Sequence, residues 1–262
     1  MVGLLLKLFL LPSLANNMSS WQKASQWYIK EVGLSGHYYH QHTILPNLLK
    51  LITPTDSVLD LACGQGVLSR HLKSNIYQGV DISPSLIKYA KEHAVSSNHR
   101  FAVGDVTKKL PINKTDFDIV AVILALQNIE KPELVIANAA SHLKTGGQLI
   151  VVLNHPCFRI PRQSSWEIDE KNKLQYRRIN RYLSPLKVPI ETHPGQGSHS
   201  SLTWSFHHSL SDYSRFLNEL GFVIIQLEEW VSDKESTGKV AKMENLSRTE
   251  FPLFLTILAR KT

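Results

Sequence analysis

From Val58 to Leu153 the chain alternates short apolar runs with amphipathic stretches, and few folds accept that rhythm. The apolar runs are Val58 to Leu61, Ile76 to Val80, Phe101 to Val103, Phe117 to Leu124 and Leu149 to Leu153. Each is too short for a buried helix and carries no polar alternation, which is how strands buried on both faces read. Between them, helical spacing covers about Val67 to Lys73, Pro84 to Ala94 and Pro132 to Leu143, with Ser83 placed to cap and Pro84 at the first helical position. Parallel strands joined by helices predict an α/β sheet covered on both faces. A later helix over about Leu210 to Leu220, stopped by Gly221, and strands at Phe222 to Leu227 and Phe254 to Ala259 extend the sheet. Upstream, Trp21, Ala24, Tyr28 and Val32 recur at helical spacing, Gly33 and Gly36 end that helix, and a second helix is expected over about Leu45 to Ile52.

The first strand runs straight into Val58-Leu-Asp-Leu-Ala-Cys-Gly-Gln-Gly66. Ala62, Gly64 and Gly66 let the backbone turn sharply and approach a ligand. The second strand ends at Asp81, 21 residues beyond Asp60, where an α/β nucleotide fold sets a carboxylate against ribose hydroxyls. An adenosine-containing ligand is implied. The dinucleotide fingerprint G-x-G-x-x-G fails, because the third position is Ser69. Asp60 would repel a pyrophosphate and would suit an ammonium group.

These segments, with Gly79-Val-Asp-Ile-Ser83, Val103-Gly-Asp-Val106, Phe117-Asp-Ile-Val120 and Leu143-Lys-Thr-Gly-Gly-Gln-Leu-Ile-Val-Val152, together resemble the class I S-adenosylmethionine-dependent methyltransferases. The resemblance implies a Rossmann-like seven-stranded sheet with its last strand antiparallel, an N-terminal helical cap and an insertion after the fifth strand. It implies S-adenosylmethionine as cofactor: Asp60, Ala62, Cys63, Gly64 and Gly66 against the methionine portion, Asp81 on the ribose, Ile82 on the adenine face, and Asp105 with Val106 at the adenine edge. Ala62 departs from the glycine common in that family. Tyr28, Tyr39 and His40 lie on the N-terminal segment, which in this family often folds over the cofactor; the plainer reading of all three is packing between helix and sheet. The segments HYYHQHTILP and NHPCFRIPR are similar to bacterial small-molecule methyltransferases of the methyltransferase-11 type.

Residues 154–203, rich in Pro, Ser, Arg and His without clear period, read as a lid inserted into a methyltransferase domain of residues 53–262. Residues 19–52 read as the cap, and 1–18 as a tail or a misassigned start ahead of Met18. His155 follows the fifth strand and is the first candidate for a base, against the plainer reading of a turn histidine before Pro156. Arg159, Arg162, Arg177, Arg178 and Arg181 interleave with Phe158, Trp166, Tyr176 and Tyr182. Forks and aromatic faces suit a planar anionic acceptor, and also single-stranded RNA. Formal net charge is only +7 and no RNA-binding module is visible, so nucleic acid is the less favoured partner. His37, His40, His42, His155, His193, His199, His207 and His208 match no zinc spacing, and no metal is expected. Two cysteines, Cys63 and Cys157, fit a reducing compartment, hence the cytoplasm without a membrane anchor. The expected activity is methyl transfer to an O or N atom of a small organic acceptor. The alternatives are an RNA or protein methyltransferase and a catalytically silent binder of the same cofactor.

Overall fold

The computed structural model describes residues 19–191 and 202–262. The expected tail at 1–18, His193 and His199 lie outside the described residues. Seven strands form one sheet: β1 (Ser57–Leu61), β2 (Ile76–Asp81), β3 (His99–Val103), β4 (Phe117–Ile123), β5 (Leu143–Asn154), β10 (Phe222–Trp230) and β11 (Phe254–Lys261). Their order is β10-β11-β5-β4-β1-β2-β3. The first five are parallel, and β11 runs antiparallel to both β5 and β10. The expected fold and the antiparallel last strand are therefore present.

Side-chain alternation along each strand divides the core into two layers. Leu59, Leu61, Val120, Val122, Leu149 and Val151 face one layer, which α4 (Pro132–His142) fills with Val135, Ile136 and Ala139 and α5 (Leu210–Glu219) with Tyr213 and Leu217. Val58, Ile119, Ala121, Ile150 and Val152 face the other, packed by Ile87 and Ala90 of α3 (Pro84–Glu92) and by Val32 at the end of α1 (Ser20–Val32). Ser83 caps α3 through its hydroxyl, as its position predicts.

Three expectations are corrected. The second N-terminal helix is a π-helical turn, His40–Ile44, running into a single α turn, α2 (Leu45–Leu48). Pro46 has no N–H for the carbonyl four residues back and crowds it, and the Leu45 amide bonds five residues back to His40 O. The stretch after the glycine loop is only a 3₁₀ turn, Leu68–His71. There the Ser69 hydroxyl takes the Gly66 carbonyl at 2.7 Å, competing with a backbone ladder. The region after β5 is not without pattern: β6 (Ser164–Asp169) pairs with β7 (Leu174–Ile179), and β8 (Leu186–Glu191) pairs with β9 (Leu202–His207), both antiparallel. A further helix, α6 (Ala241–Glu250), also has no counterpart in the sequence reading. Its Ser247 hydroxyl donates to Gln175 O of β7 at 2.8 Å, tying the first ribbon to the stretch before β11.

Candidate functional site

The carboxyl ends of β1, β2 and β4 surround a cavity of about 260 Å³. The loop after β1 contributes Ala62 and Gly64, the end of β2 Asp81 and Ile82, and the loop after β3 Asp105, Val106 and Thr107. Leu124, Ala125, Asn128 and Ile129 close it from the end of β4, and Ser19, Trp21 and Tyr28 cover it from α1. The sharp turn after β1 uses left-handed backbone: Gly64 sits at φ +56°, where a Cβ would stand 3.4 Å from the Tyr28 ring. Ala62 at +61° and Leu124 at +51° adopt the same region despite carrying side chains. Such strain, about 1 kcal/mol or more each, clusters where ligands are held.

Asp81 is buried, with Oδ2 accepting the Gly64 amide and Oδ1 the Ser83 amide, each at 2.9 Å. Burial raises its pKa, and the two amides pull it back. Each oxygen keeps a second lone pair, which suits two neighbouring hydroxyls of a ligand. Ile82, Leu86 and Val106 supply an apolar wall beside it. Asp105 turns back on itself: Oδ1 accepts the Thr107 amide and hydroxyl at 3.0 and 2.7 Å, while Lys108 pairs with Oδ2 at 3.2 Å.

Asp60 and Cys63 lie deeper, in a second chamber of about 30 Å³ that shares Tyr28 and Ala62 with the first. Asp60 accepts the Tyr77 hydroxyl at 2.6 Å, yet burial drives its pKa from 3.8 to about 7, with the nearby Asp81 adding to the rise. The same burial raises the Cys63 thiol and the Tyr28 phenol, so both stay neutral. His40 also lines this chamber, held to about 4 by burial and by His37, with its Nδ1 buried and lacking a hydrogen-bond partner.

Three expected residues stand elsewhere. Gly66 lines neither chamber; its absent side chain makes room for Ala90 and Phe101, both 3.1 Å from where a Cβ would be. The Tyr39 ring packs edge-on against Phe254 at 5.7 Å, outside both chambers. His155 is fully buried and lines no described cavity. Its Nδ1 accepts the Cys157 amide at 3.2 Å and its Nε2 meets Glu229 at 2.8 Å, so both ring nitrogens are engaged. Both contacts match the plainer reading of a turn histidine before Pro156.

Sequence reasoning missed Trp21 and the whole β4 end as parts of the site. The rule that ligands sit at the carboxyl ends of parallel strands would have pointed to Leu124 through Asn128. It also missed the clamp that seats α1. Gln22 Nε2 donates to Ser85 Oγ at 2.7 Å, and its Oε1 accepts the Ser83 hydroxyl and the Ser85 amide at 2.7 and 3.2 Å. Among the described residues no group of three or more His, Cys, Asp or Glu could hold a metal, and no helix is long and apolar enough to cross a membrane.

A family model described as methyltransferase domain matches residues 52–182, half of the chain. The chain belongs to the methyltransferase-domain family. Curated relatives of this methyltransferase-domain protein include a malonyl-[acyl-carrier protein] O-methyltransferase of Hahella chejuensis, 29% identical over 181 residues, covering 65% of this chain and 62% of that one. A ubiquinone biosynthesis O-methyltransferase of Coxiella burnetii is 36% identical over 117 residues, covering 41% of this chain and 50% of that one. The chain thus spans between half and two thirds of these relatives' length. A solved S-adenosylmethionine-dependent methyltransferase of Mesorhizobium loti shares the fold at 24% identity, with a TM-score of 0.66 over 87% of this chain and all of that one. Another described in the same terms, from Listeria monocytogenes, has 22% identity and a TM-score of 0.58 over 83% and 97%.

Proposed function

We propose that the protein is an S-adenosylmethionine-dependent methyltransferase acting on an O or N atom of a small organic acceptor. The observation that carries this reading is Asp81: a buried carboxylate at the end of β2, oriented by the Gly64 and Ser83 amides, lining a cavity with an apolar wall of Ile82, Leu86 and Val106 beside it. The arrangement fits a nucleoside, with ribose hydroxyls on Asp81 and the base against Ile82 and Val106. Asp60, in the adjoining chamber, fits the ammonium of an amino-acid tail. The Hahella and Coxiella relatives, both O-methyltransferases by name, favour oxygen as the acceptor atom.

When bound, the cofactor supplies an electrophilic methyl on a sulfonium that is already a good leaving group. The chain then needs mainly to align donor and acceptor and exclude water. Trp21 and Tyr28 cover the cavity, and the Gln22 clamp fixes their helix over it. With both His155 nitrogens engaged, no base is assigned there, and positioning carries the rate. The ribbon β6–β7 and the strand β8 would shape the acceptor side, and the unpaired Cys63 and Cys157 favour the cytoplasm as the site of action.

Calorimetric titration of S-adenosylmethionine and S-adenosylhomocysteine into wild type and Asp81→Ala tests the reading. Wild type should bind both, and the variant should lose about 1.5 to 3 kcal/mol, the scale of hydrogen bonds to a charged group. A folded wild type that binds neither ligand would overturn it.

A further inference from the structure

The arginines after β5 do not act as one patch. Arg178 faces outward and pairs with Glu167 at 3.6 Å, and Arg162 donates to Pro189 O at 3.0 Å. Arg159 and Arg177 instead converge on a cavity of about 230 Å³ walled by Phe158, Trp166, Phe251 and Leu253. The alternation of β7 sends residue 177 to the face opposite residue 178. The walls are braced: Phe251 meets Phe158 and Trp166 edge-on at 5.5 and 5.4 Å, and the Arg177 guanidinium stacks on Trp166 at 5.0 Å.

Both guanidiniums are fixed without being neutralised. Arg177 donates from Nε to Phe158 O at 2.7 Å and from Nη2 to Ser164 Oγ at 2.9 Å. Arg159 donates from Nη1 to Asn154 Oδ1 at 2.7 Å and lies over the Phe254 ring at 5.4 Å. Among the described residues neither forms an ion pair, and no carboxylate lines the cavity. Two like charges held together in a partly dry pocket repel one another, and an anion between them removes that cost. Burial holds the Arg159 guanidinium below its usual range; Tyr39 offsets part of that shift, and Arg177 adds a smaller lowering.

We propose that this cavity is the recognition site for an aromatic carboxylic acid, its carboxylate gripped by Arg159 and Arg177 and its ring between Trp166, Phe158 and Phe251. At about 30 Å³ per water-sized volume, the cavity has room for a single-ring acid. The Asn154↔Phe254 pairing sets both flanks of this site at the carboxyl edge of the sheet. One ring, Phe254, separates Arg159 from Tyr39, the neighbour of His40 in the second chamber. The cavity shares no lining residue with either chamber, and assigning its ligand as the acceptor rests on the methyl-transfer proposal.

The test titrates benzoate and its neutral counterpart benzamide into the whole protein, by calorimetry and tryptophan fluorescence, with S-adenosylmethionine titrated in parallel. Benzoate should bind at least about tenfold more tightly than benzamide, the ratio expected when charge-assisted bonds are made. Arg159→Met and Arg177→Met should each abolish that margin, and Arg178→Met should keep it. If a methionine variant fails to show a cooperative melt, Arg177→Lys retains the charge and loses the fork, and should reduce the margin several-fold. Equal binding of the two probes, no binding of benzoate, or equal loss in Arg178→Met overturns the proposal. Should S-adenosylmethionine bind while benzoate does not discriminate, only the acceptor site falls. Should benzoate discriminate while S-adenosylmethionine does not bind, the anion site stands and the methyl-transfer reading falls.

Discussion

Asp60→Asn should stabilise the protein, and more so as the solution becomes more alkaline. Asp60 lies in the apolar layer between Val58 and the helices, 3% exposed, with Tyr77 as its hydrogen-bond donor. Burial moves its pKa from 3.8 to about 7. For a group raised in the folded state, the stability it contributes is fully present below pH 3.8 and is lost as pH climbs to 7. At about 1.36 kcal/mol per pH unit the loss reaches about 4 kcal/mol. An asparagine carries no charge, keeps the shape, and offers an oxygen to the Tyr77 hydroxyl. The gain from the substitution should therefore be about 1 to 2 kcal/mol at pH 5 and grow to a shift in melting temperature on the order of 10 °C at pH 8. Circular dichroism melts of both proteins at pH 5, 6.5 and 8 measure this. Parallel pH profiles, or a less stable variant at pH 8, would refute the assignment of burial as the dominant cause. The same variant should bind S-adenosylmethionine more weakly, because the ammonium loses its partner. In wild type near pH 6.5, binding should release a fraction of a proton, seen as a buffer-dependent enthalpy.

Two further outcomes are expected. His155→Ala should cost about 2 to 4 kcal/mol of stability, from the cavity and the two lost hydrogen bonds, while S-adenosylmethionine affinity stays within about twofold; an unchanged melt with abolished turnover would restore the base. Gly79→Ala would drive a Cβ to 2.7 Å from Cys63 Sγ and 2.9 Å from Phe101, and should lower stability by about 1 to 3 kcal/mol, read from urea denaturation, with no change counting against the packing.

The inner strands were legible because they are buried on both faces, so Val58, Val120 and Val151 needed no neighbour to declare themselves, whereas β10 at the edge leaves Val223, Ile225 and Leu227 exposed. Asp60 and Asp81 were legible as a pair, through their spacing about a glycine loop. The ribbons β6–β7 and β8–β9 were not. They are covered on one side, so Trp166, Ile168 and Tyr176 stay partly exposed among charged residues, and the alternation is diluted. The surroundings of His155 were not legible because they are tertiary: Glu229 comes from β10, 74 residues away. Arg159 and Arg177 were visible only as part of a basic stretch, since nothing local distinguishes an arginine facing a cavity from Arg178 facing Glu167.

The position of β11 has a consequence for how the chain is made. The five parallel strands are complete once Asn154 has been synthesised, but the β5 edge stays open until Phe254 to Lys261 emerge, about 100 residues later. At roughly 5 to 20 residues per second that interval lasts about 5 to 20 seconds. Throughout it, an apolar strand end carrying Leu149 to Leu153 is a template for any other extended segment nearby. β10, made before β11 and bonded to it alone, waits unanchored. Nascent chains, far more than finished ones, are thus the species at risk of aggregation and the ones that a ribosome-associated chaperone would need to shield.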